Sequence, residues 1–160
     1  MNITRWLFAS RGVNITRWLL ASVGVYIAYE ILNLIIHSVI LKSIYEETKA
    51  VWRPEPDMKM WIMWITAAIF SLLFVYIFTK GYEGKGIMEG VRYGLWIGLF
   101  VSIPMAYNSY ATLAIPYKLA FQWWVYGTIQ CIICGIVASW LYKPAAHAET
   151  SQPSQPAQPA

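Results

Sequence analysis

Tyr26, Glu30, Asn33 and His37 stand four, three and four residues apart in a largely apolar run. On an α-helix those intervals bring all four side chains to one face. A phenol, a carboxyl, an amide and an imidazole in line can do three kinds of chemistry. They can hydrogen-bond to other helices and fix their register, they can pass protons or a polar solute, or the imidazole can ligate a metal. Each requires the carboxyl to be protonated, paired or hydrated, because a lone charge deep in a bilayer costs at least ~2.5 to 3.5 kcal/mol on insertion scales. Glu30 and His37 are ~10 Å apart along a helix axis, so no direct contact is expected between them.

The elements that must carry this face follow from composition. The 160 residues are 58% hydrophobic and 12% charged, with 9 Trp, 11 Tyr and 6 Phe and a mean hydropathy of +0.47. That is too apolar for a soluble domain and predicts an integral membrane protein. The formal charge of +4 does not point to nucleic acid, since the basic residues flank apolar runs, where lipid headgroups account for them. The partners implied are membrane lipids and other transmembrane subunits or further copies of this chain. Four spans of about 20 residues are expected at 18–41, 58–79, 91–113 and 119–142, together forming an all-α, four-transmembrane-helix antiparallel bundle over 18–143.

Two of these spans carry seams of small residues. Gly90, Gly94, Gly98, Ser102 and Ala106 recur every fourth position, and so do Gly127, Cys131, Gly135 and Ser139. In lipid, where apolar burial hardly drives helix association, such seams let backbones approach closely. Ile115-Pro116 makes the connection between these two spans tight, GYEGKG at 81–86 reads as a flexible turn, and Asp57, after two prolines, can cap the second span. Cys131 and Cys134 form C-x-x-C, but inside an apolar helix, with no other cysteine, they read as packing residues.

Depth along antiparallel spans places Gln130, Ser102 and either Thr66 or Ser71 level with Glu30, with the Gln130 amide as the expected partner of the carboxyl. His37 comes level with Tyr107, Asn108 and Trp123, near the outer interface. No cofactor is predicted. A haem or chlorophyll-type pigment on His37 would need its second ligand from water, another residue type or another chain, because the only other histidine, His147, lies in the tail. No hydrolase, kinase, dinucleotide or metalloprotease motif is present.

The ends have their own character. NITRWLFAS at 2–10 recurs as NITRWLLAS at 14–22, overlapping a basic leader over 1–17. Met1 aligns with Val13, and because some bacterial start codons otherwise read as valine, one reading is a short duplication whose older start lay at Val13, the other a plain basic leader. The apolar run continues past Ala21 without a small-x-small cleavage site, so the first helix is expected to stay uncleaved. The Pro, Gln and Ala-rich tail at 144–160 cannot form a core. Lys and Arg favour the side of the leader, the 80–92 loop and Lys143, which predicts a multi-pass protein with both termini in the cytoplasm.

The stretch GVRYGLWIGLFVSIPMAYNSYATLAIPYKLAFQWWVYGTIQCIICGIV resembles the second half of small four-helix bacterial integral membrane proteins of unknown function. The likeness rests on the glycine seam, the 107–113 turn and the aromatic start of the last span, and extends more weakly over 21–143. It implies a bacterial inner-membrane bundle and brings no activity with it. The function expected from these features is that of a structural or accessory subunit of a larger membrane complex. The alternative is a small oligomeric transporter or proton-coupled carrier using the Glu30, Asn33 and His37 face.

Overall fold

The computed structural model describes residues 13–143. The first copy of the repeat, with the choice between Met1 and Val13, and the tail at 144–160 lie outside the described residues. Those described form helices and connecting turns, with no strand among them. Helix α1 is Ile15–Asn33 and continues without a break into a π-helical turn at Leu34–Ile40. A short α2, Lys42–Glu47, and two single 3-10 turns lead to α3, Met60–Lys80. Helices α4, Ile87–Thr112, and α5, Tyr117–Leu141, complete the chain. With the π-helical turn counted as part of α1, the ends of the four long helices fall within four residues of the expected spans.

Local chemistry sets several boundaries. Asn14 caps α1, its side-chain oxygen accepting from the Arg17 amide at 3.0 Å, so the second copy of the repeat opens this helix. Asp57, expected to cap α3, instead lies in a 3-10 turn, and α3 starts after Lys59 without a side-chain cap. Pro116 stands immediately before α5 and begins its first turn.

Among the described residues, three helical stretches are long and apolar enough to cross a membrane: Ile15–Ile40, Met60–Lys80 and Tyr117–Leu141. Helix α4 is as long, at 26 residues, but interrupts its apolar residues with Glu89, Arg92, Pro104 and Asn108 and with the glycine seam.

The four long helices pack in the order α3, α1, α5, α4. Contact between α4 and α5 is by far the closest. Gly90, Gly94, Gly98, Ser102 and Ala106 are all buried. A Cβ on Gly90 would stand 2.2 Å from the Gly135 carbonyl oxygen, and one on Gly94 would stand 2.3 Å from the Cys131 carbonyl oxygen. A Cβ on Gly98 would reach the Thr128 backbone at 2.9 Å, and one on Gly127 would meet the Ser102 hydroxyl at 2.5 Å. The two seams therefore face each other, antiparallel, with backbone against backbone.

The outer helices, α3 and α4, meet differently. At one end Tyr93 bridges them: its ring packs on Phe74 and Phe78, with centroids 4.8 and 5.2 Å away, and its hydroxyl donates to the Phe74 carbonyl at 2.5 Å. These rings join a core of Ala21, Val25, Val75, Cys134, Ala138 and Tyr142. Toward the other end α3 and α4 stand apart and leave a cleft.

The 81–86 turn is built rather than loose. Glu89, buried in the first turn of α4, accepts from the Glu83 amide at 2.6 Å and from the Lys85 amide at 2.9 Å. Ser139 donates to the Gly86 carbonyl at 2.8 Å and ties the turn to α5. Gly84 and Gly86 have φ of 77° and 76°, in the left-handed region where glycine is unstrained.

Candidate functional site

The cleft between α3 and α4 deepens into a cavity of about 370 Å³, floored by α1 and α5. From α1 and its π-helical turn come Tyr29, Asn33 and His37, from α3 Thr66, from α4 Ser102 and from α5 Gln130. Met63, Phe70, Val101 and Met105 supply apolar walls toward the opening, while Trp123 and Tyr126 supply aromatic ones.

Gln130 organises the floor. It is buried, and its Nε2 donates both to the Tyr29 carbonyl and to Asn33 Oδ1, each at 3.0 Å. Tyr29 and Asn33 are four residues apart, so one amide on α5 spans a turn of α1. The expected pairing of Gln130 with Glu30 is therefore not formed. Glu30 lies ~60° round the helix from Asn33 and ~100° from Tyr29, which turns it away from the face that Gln130 reaches. Glu30 is half-buried, it does not line the cavity, and its Oε1 is buried without a hydrogen-bond partner. Tyr26 is also half-buried and outside the cavity. The four-residue face thus divides, with Asn33 and His37 on the cavity and Tyr26 and Glu30 off it.

This division reverses one expectation. A carboxyl paired with Gln130 would make Glu30→Leu destabilising, whereas removing a buried oxygen that has no partner should be neutral or stabilising. We expect the thermal midpoint of Glu30→Leu in detergent to equal or exceed that of the wild type, with Glu30→Gln close to both. A fall confined to the Leu variant would mean that the carboxyl has a partner.

His37 sits inside the π-helical turn, where Leu41 donates to the Ile36 carbonyl five residues back. Its Nδ1 lies 2.6 Å from the Tyr45 hydroxyl, which also accepts from Trp123 Nε1 at 2.7 Å. An indole N–H can only donate, so Tyr45 accepts from Trp123 and has its own proton available to donate to His37 Nδ1 in the tautomer protonated on Nε2. Burial pushes the Tyr45 hydroxyl up to about 12, against a smaller opposing effect of the Trp123 hydrogen bond, so it keeps that proton at neutral pH. Trp52 packs edge-on to Tyr45 at 5.6 Å and donates to the Thr48 hydroxyl at 2.9 Å, closing a small aromatic cluster over this end of the cavity.

Tyr45, Thr48 and Trp52 did not stand out among the polar residues of the spans, yet a signal for them exists. Leu41, Ile44, Tyr45, Thr48 and Trp52 are spaced as one helical face, and Leu41 and Ile44 pack with Ile36, Ile115 and Leu119. Tyr107 and Asn108 lie away from the cavity. The Tyr107 hydroxyl is 3.4 Å from that of Tyr117, and Asn108 is exposed.

Ser102 is buried on the α4 seam, while Thr66 spends its hydroxyl on the Ile62 and Met63 carbonyls. Cys131 and Cys134 are free buried thiols, and Cys131 lies at the back of the cavity. Among the described residues no three His, Cys, Asp or Glu side chains come together as a metal site. His37 has Nδ1 engaged by Tyr45, which leaves Nε2 as its remaining nitrogen. No family model matches the chain, and no curated protein or solved structure is significantly similar to it.

Proposed function

We propose that this is a four-span integral membrane protein of a bacterial inner membrane, with both termini cytoplasmic, that takes a small amphipathic molecule from the bilayer into the cleft between α3 and α4. The carrying observation is that polar side chains from all four long helices line one cavity of about 370 Å³. Polar groups at membrane depth face a bundle interior, a watered cavity or a ligand, because hydrocarbon cannot satisfy them. Counting α4 as a span is supported by its length and by its close pairing with α5, which is itself apolar enough to cross. This reading is nearer to the transporter or carrier alternative expected from the Glu30, Asn33 and His37 face than to the accessory subunit, with Glu30 left out.

Met63 stands at the mouth of the cleft, 54% exposed, so Met63→Trp should block entry without disturbing the core. Protein purified in lipid nanodiscs should yield a near-stoichiometric lipophile on solvent extraction, and Met63→Trp should lose it at an unchanged melting temperature. Identical extracts from both would remove the proposal.

A second reading, an accessory subunit docking through its transmembrane helices, is favoured by one feature. Trp96 and Phe100 form an exposed aromatic ridge on α4, 68% and 77% exposed, on the side turned from α5. Native purification with subunit identification, beside a Phe100→Ala variant, tests it.

A further inference from the structure

The geometry points to a lipid-soluble quinone, its ring in the cavity and its hydrocarbon tail in the bilayer, as the molecule that the cleft receives. This rests on the cleft being a binding site at all, and it adds the class of ligand.

The hydrogen-bonding capacity left over in the wall selects the chemistry. Gln130 Nε2 and Asn33 Oδ1 are spent on each other, which leaves the Asn33 Nδ2 donor and the Gln130 Oε1 acceptor, and the Thr66 hydroxyl is spent on its own helix. With Tyr45 donating to Nδ1, neutral His37 carries its proton on Nε2 and is a donor there. The Ser102 hydroxyl lines the cavity from α4 and can donate as well. Donors on two different helices, α1 and α4, suit a molecule with two acceptor oxygens on opposite edges.

Charge selects further. No Asp, Glu, Lys or Arg lines the cavity, and Glu30 lies off it. A cationic or anionic solute would meet no countercharge there, and burying an unpaired ion is prohibitive. A neutral molecule meets no such penalty.

Shape and access agree. Phe70, Tyr126 and Trp123 present aromatic surfaces to the cavity, which favour a flat ring. About 370 Å³ lies within the range of small-ligand pockets and holds a substituted ring, not a long tail. At the opening, Met63, Val101 and Met105 are exposed and apolar, and thioether side chains adapt readily to a chain passing between them.

The test is a titration of the full chain in nanodiscs with decylubiquinone, followed by quenching of tryptophan fluorescence. Saturable quenching is expected, with reduced amplitude in Trp123→Phe. His37→Phe and Ser102→Ala should each weaken binding about tenfold, as expected for one lost hydrogen bond, and Met63→Trp should abolish saturation. The Ser102→Ala change is nearly isosteric, so it stays informative if the His37 variant fails to fold. Quenching that rises linearly with quinone in the membrane and is equal in all variants is partition alone and overturns the inference. If quinone fails to saturate while another lipophile is extracted and lost in Met63→Trp, the quinone assignment falls and the cleft reading stands. If neither binds, both fall.

Discussion

Gly94→Leu should abolish recovery of folded, monodisperse protein from detergent. A Cβ on Gly94 would stand 2.3 Å from the Cys131 carbonyl oxygen and 2.6 Å from the Ile132 Cα. Those are backbone atoms of a helix that cannot swing aside as a side chain would, so the helices must separate. Overpacking commonly costs ~1 to 3 kcal/mol, and this site belongs at or above the upper end. Separation also breaks contacts along the whole seam, which carries the α4 to α5 pairing. Gly81→Leu is the matched control, because nothing lies within 4 Å of its Cβ position and its φ is −102°. Equal recovery of the two variants by size-exclusion chromatography would show that the seam does not hold the hairpin.

The second large effect is expected at Glu89. Its two carboxylate oxygens each take one backbone amide of the 81–86 turn, and the residue is buried. Hydrogen bonds to a charged group contribute ~1.5 to 3 kcal/mol each, and removing the acceptor strands the donors. The carboxylate also sits in the first turn of α4, where the helix dipole favours a negative charge. Glu89→Ala should therefore lower stability by about 3 kcal/mol or more and speed hydrogen exchange at the Glu83 and Lys85 amides. Glu89→Gln, which keeps a single acceptor oxygen, should fall between. An unchanged melting temperature with unchanged exchange at both amides would contradict this account.

What could be read from the residues alone was what depends on local periodicity. Apolar runs of bilayer length located the long helices, and four-residue spacing placed the small residues of α4 and α5 on single faces. What could not be read depends on rotation between helices. Level with Glu30 by depth, Gln130 nevertheless pairs with Tyr29 and Asn33, ~60° to 100° round the helix from the direction expected, because depth says nothing of azimuth. The GYEGKG turn looked loose because glycine is flexible in isolation. In the fold, two of its glycines hold left-handed φ and a carboxylate six residues from Glu83 pins its amides. Tyr45 was hidden for a different reason. It lies beyond the first span, and its importance arises only when the chain folds back over His37 and Trp123.

The π-helical turn at Leu34–Ile40 bears on which changes this chain tolerates. A turn closed by five-residue rather than four-residue reach contains extra chain for its length, so everything after it is rotated relative to an uninterrupted α-helix. Point substitutions at lipid-exposed positions such as Val39 leave that offset intact. Loss of a single residue inside the turn would let it relax into α-helix and leave Leu41, Ile44 and Tyr45 facing nearly as before, whereas a further insertion there would carry them about 100° round the axis. In this stretch the chain should therefore tolerate losing one residue better than gaining one.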